Sequence, residues 1–289
     1  HPPLHSYFFS SRPFNLGGGG VFLWGGGGGG LVRMLDGGQV ESFVAEGFVK
    51  VAGAFSGEVA AAGREILWGL SGCDPGDRSS WTQPVVRVGD RGDAPFAAAV
   101  NSPALTAAFD QLVGVGRWLP RNSIGTFPIR FPVGGAPGDD GWHIDVSFPG
   151  DDPADYLTWR VNLWSRGRAL LMLFLFSDVG EQDAPTRIRV GSHLRIPPLL
   201  APFGAPGADL ARFDYVRATA DLPVTTATGR AGDVYLCHPF LVHAAQRHRG
   251  HTPRFLAQPP LLSRGACVLD RPDGDYSPVE RAIRAGLNT

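Results

Sequence analysis

The sequence predicts an α+β chain in which helices come first and a β-rich core of the sandwich or jelly-roll kind follows. Helix caps and helical apolar periods cluster before Gly125. After Gly125, short runs rich in β-branched and aromatic residues are separated by Gly, Pro and Asp clusters. Strictly alternating strand and helix units are absent, which argues against a doubly wound parallel sheet.

Residues 1–33 read differently from the rest. Two glycine runs, Gly17 to Gly20 and Gly25 to Gly30, flank Val-Phe-Leu-Trp, and such a segment loses too much backbone entropy to order by itself. It is expected to be tag, linker or disordered sequence, with one domain over residues 34–289. From Asp36 the pattern is coherent. Val40, Phe43, Val44 and Phe48 give a helical period over 39–48, and 48–52 reads as a strand. Ser56 opens a second helix carrying Val59, Ile66 and Leu67. Ser102-Pro103 is an N-cap followed by proline at the first helical position, which predicts a helix to about Leu112. Strands are expected at 126–131, 142–148, 157–164, 170–176, 187–190, 234–237 and 255–262. Ser277-Pro278-Val279-Glu280 is a capping box and predicts a final helix.

Composition narrows the function. The chain has 289 residues, 43% of them hydrophobic, enough for a sizeable core. A net charge of -1 gives no electrostatic case for nucleic acid or an anionic membrane. The longest fully apolar run, Ala169 to Phe176, is far too short to span a bilayer. Three widely spaced cysteines, without a Cys-x-x-Cys pair, argue against a disulfide framework or zinc ribbon. With no signal-peptide pattern in the opening residues, a reducing cytoplasm is the expected compartment and a small molecule the expected partner.

His143-Ile144-Asp145 is the first chemical signal. On a strand, residues two apart share a face, so an imidazole and a carboxylate meet one point while Ile144 faces away. Downstream come Gly232-Asp233, His238, His243 and Arg254. One further histidine would complete two histidines and a carboxylate. That set leaves coordination positions open and suits non-haem Fe(II), although zinc also uses these ligand types. His238 and His243 are five apart, so on a continuous strand they face opposite sides and only one can join. An arginine such as Arg254 suits a carboxylate through two parallel charge-assisted hydrogen bonds. Arg130 precedes the first ligand segment and is a candidate for an anionic substrate group. Arg247 and Arg249 lie in a turn and are expected to be solvated, His193 to pack at a strand end, and Cys237 to be buried and inert. Trp142, Trp159 and Trp164 are expected in the core or a pocket wall.

From about Asp36 to Leu261 the chain resembles the phytanoyl-CoA dioxygenase family of Fe(II)- and 2-oxoglutarate-dependent oxygenases. The resemblance rests on Gln39 to Phe43 leading to Gly47-Phe48-Val49, and on Trp142-His143-Ile144-Asp145. It continues in Glu181 through Val190-Gly191-Ser192-His193, in Gly232-Asp233 and His238-Pro239, and in His243 with Arg254 eleven residues on. It implies a double-stranded β-helix (jelly-roll, cupin-like) core with flanking N-terminal helices. It implies His143, Asp145 and His243 as iron ligands, not His238, and Arg254 on the distal carboxylate of 2-oxoglutarate, with O2 as the other cosubstrate. Three positions depart from the family pattern: Ile144 for a polar residue, Ala245 for a serine near the cosubstrate, and Val190 for a proline. Asp145 is retained, which fits hydroxylation and not halogenation. Two rival classes stay in view: a zinc- or nickel-bound jelly-roll hydrolase or isomerase, which needs no Arg254, and a non-catalytic binding module of the same fold.

Overall fold

The computed structural model describes residues 34–288, so the segment read as tag or linker, 1–33, lies outside the described residues. The first helix is capped at both ends. Asp36 and Gln39 form a capping box for α1 (Gly37–Glu46), with hydrogen bonds of 2.8 and 3.1 Å. The helix stops at Gly47, whose φ is +92°. A Cβ there would stand 2.5 Å from His193 Nδ1 and 2.7 Å from Leu241, so only glycine fits this C-cap. The chain continues as β1 (Phe48–Val51) and α2 (Gly57–Ser71), the latter capped by the Ser56 hydroxyl. Next are β2 (Val85–Val88), α3 (Ala94–Val100) and α4 (Pro103–Val113), with Ser102 capping α4 as expected.

The remaining strands are β3 (Phe127–Arg130), β4 (Leu170–Leu175), β5 (Arg187–Arg189), β6 (Val224–Thr226), β7 (Val234–Cys237), β8 (His243–Ala244), β9 (Leu256–Ala257) and β10 (Pro260–Leu261). Two short helices, α5 (Pro197–Leu200) and α6 (Tyr215–Ala218), sit between β5 and β6, and α7 (Pro278–Leu287) ends the described chain. All strand pairs are antiparallel. The largest sheet runs β1-β7-β4-β10 with β9 also on β4, a second runs β6-β5-β8, and β2 pairs β3.

β4 shows how the sequence builds the layers. All six of its residues are buried. Leu170, Met172 and Phe174 join a core with helix residues such as Phe43 and Leu67. Leu171, Leu173 and Leu175 join a second apolar cluster that includes Ile188 of β5. β7 splits the same way, Val234 and Leu236 against Tyr235 and Cys237. The period-two alternation thus feeds two cores, one toward the helices and one between the two larger sheets.

Several expected strands are shorter or broken. The 142–148 segment is not a continuous strand; it makes isolated bridges at His143 and Phe148 only. In 157–164 the Asp155 carboxylate accepts from Leu157 N at 2.9 Å, turning 156–158 into a 3-10 turn, and pairing survives only at Arg160 and Val161. The 255–262 strand breaks at Gln258-Pro259, where proline offers no N–H. The strands β2, β6 and β8 and the helices α3, α5 and α6 fall outside the elements expected from the sequence.

The capping box of α7 doubles as a buried ion cluster. Glu280, with no exposed side-chain surface, accepts from Ser277 N at 3.0 Å, Val268 N at 2.7 Å, Arg117 Nη1 at 3.0 Å and Arg271 at 3.3 Å. Burial pushes this carboxyl up, but its hydrogen bonds and Arg117 outweigh that and bring it down to about 2, against 4.5 when unfolded. A carboxyl lowered in the folded chain stabilises fully above pH 4.5, and that contribution is lost as pH falls from there through about 2. Glu280→Gln should therefore cost about 3 kcal/mol at neutral pH, since it leaves two arginines without their carboxylate. The difference between wild type and variant in urea unfolding should shrink below pH 4.5; a pH-independent difference would show that the charge contributes nothing.

Candidate metal centre and its anion site

His143 and His243 are brought together by their backbones. Each donates its N–H to the other's carbonyl at 2.9 Å, forming a single antiparallel bridge. That pairing sets the two rings 4.3 Å apart, centre to centre. Nδ1 of His143 lies 2.9 Å from Gly141 O, and Nδ1 of His243 lies 3.0 Å from Leu241 O. A ring nitrogen facing a carbonyl must carry the proton, so Nε2 of each ring keeps its lone pair. Together with a carboxylate oxygen of Asp145, one ligand atom from each residue falls within 4.8 Å of the others. Ile144, between them, is buried in the core on the other side.

The electrostatics keep this set ready for a cation. Burial pushes His243 down to about 4, with His143 adding to the effect and Asp145 opposing it, so the imidazole is neutral at neutral pH. For Asp145 burial pushes upward, but Arg168 above all, then the two histidines, hold the carboxyl below its ordinary range. Arg168 is the residue sequence reasoning missed. Its Nη1 donates to Asp145 Oδ2 at 3.0 Å and its Nη2 to Val146 O at 3.1 Å, fixing the carboxylate in the absence of a regular strand. Arg168 stands just before the β4 apolar run, in no motif, and its burial was the only signal that would have revealed it.

His238 lies elsewhere. It is fully buried, packs against His193 at 4.9 Å between ring centres, and its Nδ1 accepts from Phe240 N at 3.1 Å. His193 contacts Val44 O at 3.0 Å, and burial takes it down to about 4. Both histidines knit β7 and the turn after β5 to α1. Burial likewise pushes the Cys237 thiol up, and Arg247 and Arg249 are exposed.

Arg254 and Arg130 form a second bridge, with backbone hydrogen bonds of 2.9 and 3.1 Å. Directly paired residues share a face, so both guanidiniums emerge on one side. Arg254 is completely buried and Arg130 is 2% exposed. Arg254 donates to Ala184 O and, at 3.3 Å, to Pro128 O, both neutral carbonyls. Arg130 pairs with Asp139 at 2.6 Å, and Asp139 is shared with Arg87. Nε of Arg254 and both Nε and Nη1 of Arg130 have no hydrogen-bond partner among the described residues. Buried guanidinium N–H donors without acceptors are costly, so this pair suits an anion with carboxylate geometry. Burial and the Arg130 charge both press Arg254 well below its ordinary range, the signature of a cation short of counter-charge.

Two histidines and a carboxylate gather into a set able to hold a metal ion, and the buried, under-neutralised arginine pair suits a carboxylate-bearing molecule. The family model for phytanoyl-CoA dioxygenase (PhyH) matches residues 96–256, more than half of the chain, and the chain belongs to that family. Solved structures of similar fold include the non-heme alpha ketoglutarate dependent carbocyclase SnoK from nogalamycin biosynthesis, 18% identical with a TM-score of 0.57, covering 83% of this chain and 89% of that one. The epimerase SnoN of the same biosynthesis is 20% identical with a TM-score of 0.55, covering 82% and 83%. EctD from S. alaskensis, with bound Fe, is 18% identical with a TM-score of 0.51, covering 79% and 76%. No curated protein matches the sequence. Among the described residues, no helix is long and apolar enough to cross a membrane.

Proposed function

We propose that residues 34–289 form one jelly-roll domain acting as an Fe(II)- and 2-oxoglutarate-dependent dioxygenase that oxidises, most simply hydroxylates, a small molecule. The observation that carries this reading is the coexistence of the His143, Asp145 and His243 cluster with the orphaned donors of Arg254 and Arg130. A hydrolytic zinc centre has a use for the first and none for the second. Structural neighbours described as alpha ketoglutarate dependent, and one with bound Fe, support the choice of iron and cosubstrate.

In this reading His143, Asp145 and His243 would hold the metal, and three protein ligands would leave room for the cosubstrate and O2. Iron with 2-oxoglutarate and O2 supplies the oxidising chemistry, in which the cosubstrate is decarboxylated to succinate and CO2. The chain's own residues position the reactants. His143 and His243 offer the ring nitrogens that face away from the backbone carbonyls, and Arg168 aims the Asp145 carboxylate. Arg254 takes the distal carboxylate of the cosubstrate. Because Arg130 is paired directly with Arg254, its free donors serve the same anion in preference to a separate anionic group on the substrate. The apolar cluster of Leu171, Leu173, Ile188 and Leu241 between the sheets keeps water from the interior. Ala245 contributes no hydroxyl.

The reading is tested by incubating the protein with Fe(II), 2-oxoglutarate, O2 and a small-molecule library, following succinate and products by mass spectrometry. The expected result is succinate formed in step with a product that gains one oxygen atom. Product formation by hydrolysis under zinc, with no succinate under iron, would overturn it.

A further inference from the structure

We propose that Arg187 is a positioning residue for the metal centre, clamping the loop that leads into His143 to the strand that carries His243. This rests on the metal-centre reading above. Arg187 Nη2 donates to Asp140 O at 2.7 Å, three residues before His143. The same guanidinium donates to Ala245 O, two residues after His243, through Nη2 at 2.9 Å and Nε at 3.2 Å. One rigid fork thus spans both segments that supply ligands.

The clamp matters because little else ties these segments together. The 142–148 segment meets β8 only through the single His143–His243 bridge. In the β5–β8 register, Ile188 stands opposite His243 and Arg187 opposite Ala244. Alternation then sends Ile188 into the apolar cluster on the ligand side and Arg187 to the reverse face. There its guanidinium carbon lies 4.8 Å from the centre of the Trp142 ring, and that of Arg189 lies 4.4 Å from the same ring. Arg189 is anchored in turn on Val216 O at 2.6 Å and Thr219 Oγ1 at 2.8 Å. Trp142 is the immediate neighbour of His143, so stacking against two guanidiniums fixes its backbone and, through it, the direction of the His143 ring. No carboxylate pairs with Arg187 among the described residues; its charge is directed at backbone carbonyls and an indole face.

The test is anaerobic calorimetric titration of Co(II), a spectroscopic substitute for Fe(II), into full-length metal-free wild type, Arg187→Met and Arg187→Lys, with the ligand-field absorption of each complex recorded. Circular dichroism confirms folding of each variant. Loss of an outer partner of a metal ligand weakens metal binding ~10–100-fold, and that loss is expected for Arg187→Met, with a shifted Co(II) spectrum. Arg187→Lys keeps charge and stem but cannot span both carbonyls, so it should show the same spectral shift with a smaller loss, and it serves if the Met variant fails to fold. Wild-type affinity and spectrum in the variants would overturn the proposal while leaving the metal centre standing. Failure of wild type to bind Co(II) would overturn both.

Discussion

Asp145→Ala is expected to abolish tight iron binding and, with it, succinate formation. The substitution removes the one anionic group among three ligand atoms that lie within 4.8 Å of each other. It also strands the buried Arg168, whose charge would then repel an incoming cation. The loss in metal affinity should exceed the ~10–100-fold typical for removing an outer-shell partner. His238→Ala provides the contrast. That ring is buried against His193 and Phe240, away from the cluster, so the variant should unfold more readily yet keep its iron. Metal content of both purified variants after anaerobic loading and desalting checks the pair. Equal iron in wild type and Asp145→Ala would show that the cluster is structural.

Arg254→Ala should weaken 2-oxoglutarate binding by ~2–5 kcal/mol, the usual consequence of leaving a desolvated carboxylate without its bidentate partner. Because each 1.4 kcal/mol is tenfold, about 30-fold marks the low end. The effect should fall on the cosubstrate and not on the metal, since Arg254 lies in the bridge with Arg130 and not in the histidine cluster. Arg130→Ala should have the same direction with smaller size, as Asp139 already meets part of its charge. Dissociation constants for 2-oxoglutarate in the iron-loaded variants decide this, and an unchanged value for Arg254→Ala would remove the arginine from the site.

The residues gathered in the cluster are legible in the sequence through a strand geometry that the structure only partly keeps. Two-residue alternation points to His143 and Asp145, yet the segment holds only isolated bridges, at His143 and Phe148. Their convergence comes from the His143 bridge and from the Arg168 ion pair, both long-range contacts invisible to local pattern. Odd spacing says only that His238 and His243 cannot both join the set, and the family resemblance chooses His243; in the structure β7 ends at Cys237 and His243 opens a separate strand. Caps were the most readable feature: Ser56, Ser102 and the Ser277–Glu280 box each cap the helix expected of them, because capping is a local hydrogen bond. The strand breaks were not readable, because Asp155 and Pro259 act through single side chains inside otherwise strand-like runs. Arg187 gave no signal either; its value comes from two carbonyls 47 and 58 residues away in the chain.

In the proposed function one site binds iron and 2-oxoglutarate together. Anaerobic calorimetric titration of 2-oxoglutarate into metal-free and Fe(II)-loaded protein tests it most directly. A chelating cosubstrate shared between metal and Arg254 should bind the iron-loaded protein far more tightly than the metal-free protein, with a stoichiometry of about one per chain. Equal affinity with and without iron, or no binding in either state, would rule out a shared iron and 2-oxoglutarate site.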